Sequence, residues 1–214
     1  NVGHMYEAAA AHFLATGKRN LLDIAIKNAN LLVATFGPDR LKNYPGHEEV
    51  EMGLVRLYRV TKDERYLRLA QFFLDMRGQE GVGNPKKYDQ SHLPVTEQRE
   101  AVGHAVRGAY LWTGMADIAA ITGNQDYLEA IMAIWHDVVD TKYYINGGIG
   151  ATGSGEAFGA PYELPNMSAY CETCAGVGNA KWNHRMFLMT GDSKFINVLE
   201  RTMYNNIMDG VSLS

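Results

Sequence analysis

The sequence predicts an all-α fold in which αα-hairpins follow one another around a toroid, as part of an (α/α)6 barrel. Three observations predict it. A threonine-containing turn phrase recurs along the chain, amphipathic stretches flank each phrase, and polar residues of similar kind open the first stretch of each pair. The 214 residues are 46% hydrophobic and 21% charged, which is typical of a globular domain.

The turn phrases share a threonine, then a glycine or a polar residue, and an apolar pair shortly afterwards. They are Ala15–Lys18, Val60–Asp63, Ile121–Asn124 and Met189–Asp192. Glycine or a polar residue suits the C-cap of the helix before the turn, and Asp, Asn or Ser suits the N-cap of the helix after it. Each phrase therefore predicts the turn of an αα-hairpin.

Two long inserts separate the hairpins. One covers residues 79–98 and is rich in Gly, Pro and Lys, and the other covers residues 143–166. Within the second insert, residues 143–150 (YYINGGIG) predict a short strand and a turn. Loops of this length in a compact domain usually carry function.

The first helices of three hairpins open with the pairs Gly3-His4, Gly46-His47 and Gly103-His104. At the equivalent place in the fourth hairpin stands the segment Glu172-Thr173-Cys174. If the first helices form an inner ring, their N-terminal ends converge and bring these side chains together. A closed barrel of this type has six hairpins, so we expect residues 1–214 to be a partial catalytic domain truncated at both ends.

Charge and hydropathy exclude two classes of partner. The net charge is −4, the pI is about 6.0, and no basic cluster is present that could neutralise a row of phosphates. No apolar run reaches the roughly 18 residues that span a bilayer. We therefore expect neither nucleic acid nor a membrane as a partner.

Several segments in combination resemble glycoside hydrolase family 127, the β-L-arabinofuranosidases and their relatives. They are Tyr170–Ala175 (YCETCA), Asn146–Gly150 (NGGIG), Gly155–Phe158 (GEAF) and Ala101–His104 (AVGH). The resemblance covers nearly the whole chain and implies an (α/α)6 barrel followed by β-sandwich domains. It also implies a retaining glycosidase that acts on terminal L-arabinofuranosyl residues of a carbohydrate, with a zinc-bound cysteine thiolate as the nucleophile.

The resemblance also implies roles for individual residues. Glu172 and Cys174 correspond to two zinc ligands, and Glu156 corresponds to the general acid/base. Histidines that hold the sugar hydroxyls correspond to His4, His47 and His104. The nucleophile and the other zinc-ligand cysteine belong to a downstream Cys-Cys segment, so we expect two ligands beyond Ser214 and an inactive chain by itself.

From the residues alone, other interpretations of this segment stay open. Glu172 and Cys174 also suit a helix cap and core filler. Cys171 could complete a redox Cys-x-x-Cys or replace a zinc ligand, but we expect it to be a small buried hydrophobe because no thioredoxin-like βαβ pattern surrounds it. Glu163 is an alternative to Glu156, and a general acid of this kind is expected to be buried.

The remaining histidines and aromatic residues give weaker signals. His12, His136 and His184 fall within predicted helices and are interpreted as structural, and His92 is undecided. Aromatic residues that could line a sugar site, or belong to the core, are Tyr143, Tyr144, Tyr170 and Trp182.

Two other functions fit the same architecture. One is a different (α/α)6 sugar enzyme, such as an unsaturated uronyl hydrolase or a sugar epimerase, which works without zinc. The other is a non-catalytic helical-repeat binding module, which would not depend on Glu156 or Glu172.

Overall fold

The computed structural model describes residues 1–212, and within them it is built from eight α-helices and the loops that join them. In chain order, α1 to α8 are Val2–Thr16, Asn20–Thr35, Val50–Thr61, Glu64–Met76, Ala105–Thr122, Gln125–Thr141, Thr173–Thr190 and Ser193–Thr202. Short helical turns occur at Lys87–Asp89, Ser154–Glu156, Met203–Ile207 and Met208–Gly210. The all-α prediction is confirmed.

Each predicted phrase forms the turn of a hairpin with the same set of hydrogen bonds. The threonine hydroxyl donates to the carbonyl four residues earlier and accepts from the backbone N–H two residues later, at Thr16, Thr61, Thr122 and Thr190. The next residue adopts the left-handed conformation that ends the helix. The pairs α1–α2, α3–α4, α5–α6 and α7–α8 are therefore the four predicted hairpins.

The first helices of the hairpins pack side by side as an inner row, in the order α1, α3, α5, α7. Helix α5 lies between two neighbours of this row and is buried along most of its length. Trp112 of α5 and Trp182 of α7 are fully buried, with ring centroids 4.7 Å apart. The second helices are amphipathic, and each packs on its own first helix.

Helices α1 and α3 approach each other backbone to backbone near their N-terminal ends. A Cβ placed at Gly53 would lie 2.5 Å from the carbonyl oxygen of Gly3, and one at Gly3 would lie 2.1 Å from the carbonyl oxygen of Glu49. Only glycine fits at such separations, because the atoms facing it are main chain and cannot rotate away. This contact brings the residues around His4 next to those that precede α3.

The 143–150 segment is a turn without a strand, so that part of the prediction was wrong. The backbone of Tyr144 makes two hydrogen bonds within this turn. Its N–H donates to the carbonyl of Gly148, and its carbonyl accepts from the N–H of Gly147. A strand needs a partner strand, and nothing in residues 1–212 forms one. Only isolated bridges occur, including Thr152 with Ala157 and His104 with Ala157.

Across residues 1–212, no helix combines the length and the apolar character that a membrane crossing requires.

The Gly3–Gly53 contact leads to a first prediction. Gly53→Ala should lower the free energy of unfolding by about 1–3 kcal/mol, because the new methyl group forces two main chains apart. A mid-helix Gly→Ala change without this clash would instead stabilise the helix by roughly 1 kcal/mol. Urea unfolding followed by far-UV circular dichroism measures the difference.

Gly46→Ala is the control, since Gly46 is exposed in the turn before α3 and a Cβ there meets no atom within 4 Å; its free energy of unfolding should stay within about 0.5 kcal/mol of the parent value. A stabilised Gly53→Ala protein would contradict the close approach of α1 and α3.

Candidate active site

The N-terminal ends of the four inner helices converge on one open pocket of about 240 Å³. All six residues that the sequence singled out line it: His4, His47, His104, Glu156, Glu172 and Cys174. They come from four hairpins and from the loop before α7, so the fold alone brings them together. The predicted convergence of the first helices is thereby observed.

The position of the pocket residue relative to the start of the helix differs among the four inner helices. His4 lies in the first turn of α1, His104 is the N-cap of α5, and Glu172 is the N-cap of α7. His47 departs from the expected pattern, because α3 begins only at Val50 and His47 lies in the preceding turn. The turn is held there by buried charges around Glu48.

His47 presents a hydrogen-bond acceptor to the pocket. Its Nδ1 lies 3.0 Å from the backbone carbonyl of Glu48, and a carbonyl only accepts, so Nδ1 carries the proton. Burial lowers the pKa of His47, which keeps the ring neutral at pH 7. The remaining nitrogen, Nε2, is then a free acceptor.

The other two histidines face carboxylates. His4 Nε2 lies 2.8 Å from Oε2 of Glu49, and His104 Nε2 lies 2.7 Å from Oε2 of Glu156. Burial lowers the pKa of His104, so this ring is also neutral near pH 7. Its Nδ1 is buried without a hydrogen-bond partner.

Glu156 stands on the rim of the pocket, on the glycine-rich loop between α6 and α7. Its carboxylate lies between His104 and Tyr170, whose hydroxyl donates to Oε1 at 3.1 Å. Within residues 1–212 the side chain of Glu156 is 42% exposed, so the general acid is not buried as expected. His104 and Tyr170 cover the carboxylate on two sides, and the rest of the side chain faces solvent.

Glu163, the alternative to Glu156, is used elsewhere. Its Oε2 accepts a hydrogen bond from the backbone N–H of Ala160 at 2.8 Å, which closes a turn of its own loop. It does not line the pocket.

Glu172 and Cys174 form an adjacent oxygen and sulfur pair. Oε2 of Glu172 is buried without a hydrogen-bond partner, and a hydrogen bond to Glu172 raises the pKa of the Cys174 thiol. Zinc accepts both a carboxylate oxygen and a cysteine sulfur. The pair fits part of a zinc site, although residues 1–212 contain no cluster of three or more potential ligands.

Cys171 precedes this pair in the chain and does not line the pocket. It is half-buried, less buried than expected, and its backbone adopts a left-handed conformation with φ of 41°. Its N–H donates to the carbonyl of Gly150 at 2.9 Å, and burial raises the pKa of its thiol to about 11. Cys171 thus anchors the segment before α7 to the preceding loop.

Four pocket-lining residues were not predicted from the sequence: Asn1, Glu49, Val106 and Tyr110, of which Glu49 and Tyr110 contact the predicted histidines. Glu49 is only 2% exposed, and Tyr110 stands with its ring edge-to-face against His4, 5.2 Å between centroids. Burial raises the pKa of Tyr110 to about 12, so its hydroxyl stays protonated. Neither residue belongs to a recurring motif; the only available signal was the proximity of Glu49 to His47.

The other aromatic candidates have separate positions. Trp182 is in the core, Tyr144 is buried under its own loop, and the hydroxyl of Tyr143 bonds to the backbone of α8. Tyr170 is the aromatic candidate with a hydrogen bond to a residue of the pocket lining, Glu156.

A buried ion-pair cluster holds the turn that carries His47. Arg77, the residue directly after α4, is fully buried and lies 2.7 Å from Oε1 of Glu48, which is also fully buried. The same guanidinium donates to the backbone carbonyls of Pro45 and Asp89, both at 2.8 Å. Burial raises the pKa of Glu48 to about 8, against the opposing pull of Arg77. Arg77 therefore fixes the turn and compensates a carboxyl group that has no access to water.

Removing Arg77 should be severe. Arg77→Met should lower the free energy of unfolding by about 3–5 kcal/mol, because it removes the nearest partner of a buried carboxyl group and leaves only Arg107, 3.6 Å from Glu48. Urea unfolding measures the loss. Arg68→Met is the control, because Arg68 lies on α4, the helix that Arg77 caps, but is exposed. Equal stability of the two variants would show that the cluster does not hold this turn.

Comparisons with known proteins identify relatives over the whole chain. A profile described as "Beta-L-arabinofuranosidase, GH127 catalytic domain" matches residues 1–214. The non-reducing end β-L-arabinofuranosidase of Bifidobacterium longum subsp. longum is 35% identical over 233 aligned positions, which cover 99% of this chain and 35% of that protein.

Solved structures agree with the sequence comparisons. A GH127 β-arabinofuranosidase superposes with a TM-score of 0.95 at 56% identity, covering 99% of this chain and 33% of that one. A GH127 β-L-arabinofuranosidase from Geobacillus stearothermophilus T6 gives a TM-score of 0.94 at 41% identity, covering 99% and 36%. The chain thus spans about a third of the length of each of these relatives.

Proposed function

This chain belongs to the GH127 catalytic-domain family, and we propose that the complete protein is a glycoside hydrolase that removes terminal L-arabinofuranosyl residues from glycans. The observation that carries the proposal is the shared pocket. Glu156 and the Glu172–Cys174 pair line the same cavity, together with His4, His47 and His104. The arrangement supports cleavage in which an acid and a metal-held sulfur act on one sugar.

Glu156 is proposed as the general acid/base. In a retaining glycosidase such a group protonates the departing oxygen and then takes a proton from the attacking water. The carboxyl group faces the pocket and is accessible to a substrate. A position on a loop at the pocket rim suits this role, because the leaving group departs toward solvent.

The wall formed by the inner helices is proposed to bind the sugar hydroxyls. His47 can accept a hydrogen bond from a hydroxyl through Nε2, as its Nδ1 is held by a backbone carbonyl. Tyr110 can donate one, since its hydroxyl stays protonated. A neutral acceptor and a neutral donor on one wall suit an uncharged sugar ring.

Glu172 and Cys174 are proposed to hold zinc. When bound, the metal would supply positive charge that keeps cysteine sulfur in the thiolate form. Cys171 and Cys174 are the only cysteines of the sequence. The family resemblance assigns the nucleophile to a further cysteine, so these 214 residues contribute the acid, the sugar-binding wall and two metal donors.

The general-acid proposal is tested with Glu156→Gln in the complete protein. On an arabinofuranosyl disaccharide, kcat/KM should fall by roughly 100-fold or more, because the amide cannot protonate the leaving oxygen. Glu163→Gln, on the same loop, should leave kcat/KM within about twofold, since the amide oxygen can still accept from Ala160. Undiminished activity of Glu156→Gln on the disaccharide would refute the assignment.

The metal proposal is tested by elemental analysis of the purified complete protein. Cys174→Ser should lose most of about one bound zinc, because it removes one of roughly four ligands. Cys171→Ser should retain the zinc, since Cys171 lies outside the pocket lining. Zinc retained by Cys174→Ser, or lost equally from both variants, would contradict the assignment.

A further inference from the structure

We propose that Tyr170 and His104 form a clamp on the carboxyl group of Glu156, and that the Tyr170 hydroxyl orients this group toward the leaving oxygen. The inference rests on the proposed function, in which Glu156 is the general acid/base. It makes Tyr170 a positioning residue.

The clamp is bilateral. The hydroxyl of Tyr170 donates to Oε1 of Glu156 at 3.1 Å, and His104 Nε2 lies 2.7 Å from Oε2. One partner comes from the start of α5 and the other from the segment before α7. Because each oxygen has its own partner, rotation of the carboxyl group breaks at least one hydrogen bond.

The His104 side of the clamp is rigid. The backbone N–H of His104 donates to the carbonyl of Tyr88 at 3.0 Å, and the Tyr88 ring stands edge-to-face against the imidazole at 5.4 Å between centroids. His104 also forms a backbone bridge with Ala157, the residue that follows Glu156. The imidazole and the loop that carries the acid are therefore fixed to each other.

The backbone at Glu156 makes these contacts necessary. Gly155 and Glu156 both have positive φ, 70° and 51°. For a residue with a side chain this left-handed conformation costs about 1 kcal/mol or more, so surrounding contacts must maintain it. The hydrogen bonds from His104 and Tyr170 are the side-chain contacts that the structure gives to Glu156.

The Tyr170 hydroxyl can be removed without disturbing the hydrophobic core, because it is not part of the core. The side chain is 40% exposed, and the ring lies close to Gly153, where a Cβ would be 3.5 Å from Cδ2. Tyr170→Phe keeps this ring contact and removes only the hydrogen bond to Glu156. No buried void or unpaired buried group results.

The geometry also changes the role expected for His104. The family resemblance implies contact with a sugar hydroxyl, yet Nε2 faces the acid and Nδ1 is buried without a partner. Of the three histidines, only His47 has a ring nitrogen held by backbone and the other one available to the pocket. His104 thus acts through Glu156.

The experiment compares two substrates in the complete protein. One is an arabinofuranosyl disaccharide, whose leaving group needs a proton, and the other is p-nitrophenyl arabinofuranoside, whose leaving group departs without one. For Tyr170→Phe, kcat/KM on the disaccharide should fall about tenfold, because the acid loses the hydrogen bond that orients it. On the aryl substrate, kcat/KM should stay within about twofold.

Tyr162→Phe is the matched control, since Tyr162 is an exposed tyrosine in the same interhelical segment and does not contact Glu156. Its kcat/KM should be unchanged on both substrates. If Tyr170→Phe loses activity equally on both, the hydroxyl has a general structural role and the clamp is overturned. Unchanged activity on both substrates overturns it as well.

Glu156→Gln measured beside these variants separates the two proposals. Loss of disaccharide activity in Glu156→Gln with normal activity in Tyr170→Phe removes the clamp and leaves the general acid in place. Full disaccharide activity in Glu156→Gln removes the proposed function, and the clamp with it.

Discussion

The backbone contact between α1 and α3 at Gly3 and Gly53 is the constraint on which the pocket depends. Because the helices touch main chain to main chain, the first turn of α1 lies against the turn before α3. That places His4 within hydrogen-bond distance of Glu49. The same row of inner helices continues through α5 to α7, so the pocket wall is a property of helix packing more than of loop conformation.

The convergence of four helix N-termini also explains the charge of the pocket. Each N-terminus carries partial positive charge, which favours carboxylates placed beside it. Glu49 precedes α3 and Glu172 precedes α7, both as N-caps. The same field favours any further anion at this site, including a cysteine thiolate, and opposes protonated histidine.

Much of the fold was accessible from the sequence because its signals are local. The threonine hydroxyl of each phrase donates to the carbonyl four residues earlier and accepts from the N–H two residues later, so the hairpin turn is encoded in a segment of about seven residues. The pairing of His104 with Glu156 was not accessible. It depends on how a long loop folds back onto α5, and neither residue type nor spacing records that. Glu49 and Tyr110 were missed for the same reason, since tertiary packing alone turns them toward the pocket.

The central claim is that acid and metal-binding sulfur face one sugar from different sides of this pocket. The most direct measurement is a crystal structure of the complete protein with L-arabinofuranose or a close analogue bound. We expect the sugar against His47 and Tyr110, with the anomeric oxygen about 3 Å from the carboxyl group of Glu156 and the Cys174 side across the ring. A sugar bound outside this pocket, or bound in it with its anomeric centre away from Glu156, would contradict the account.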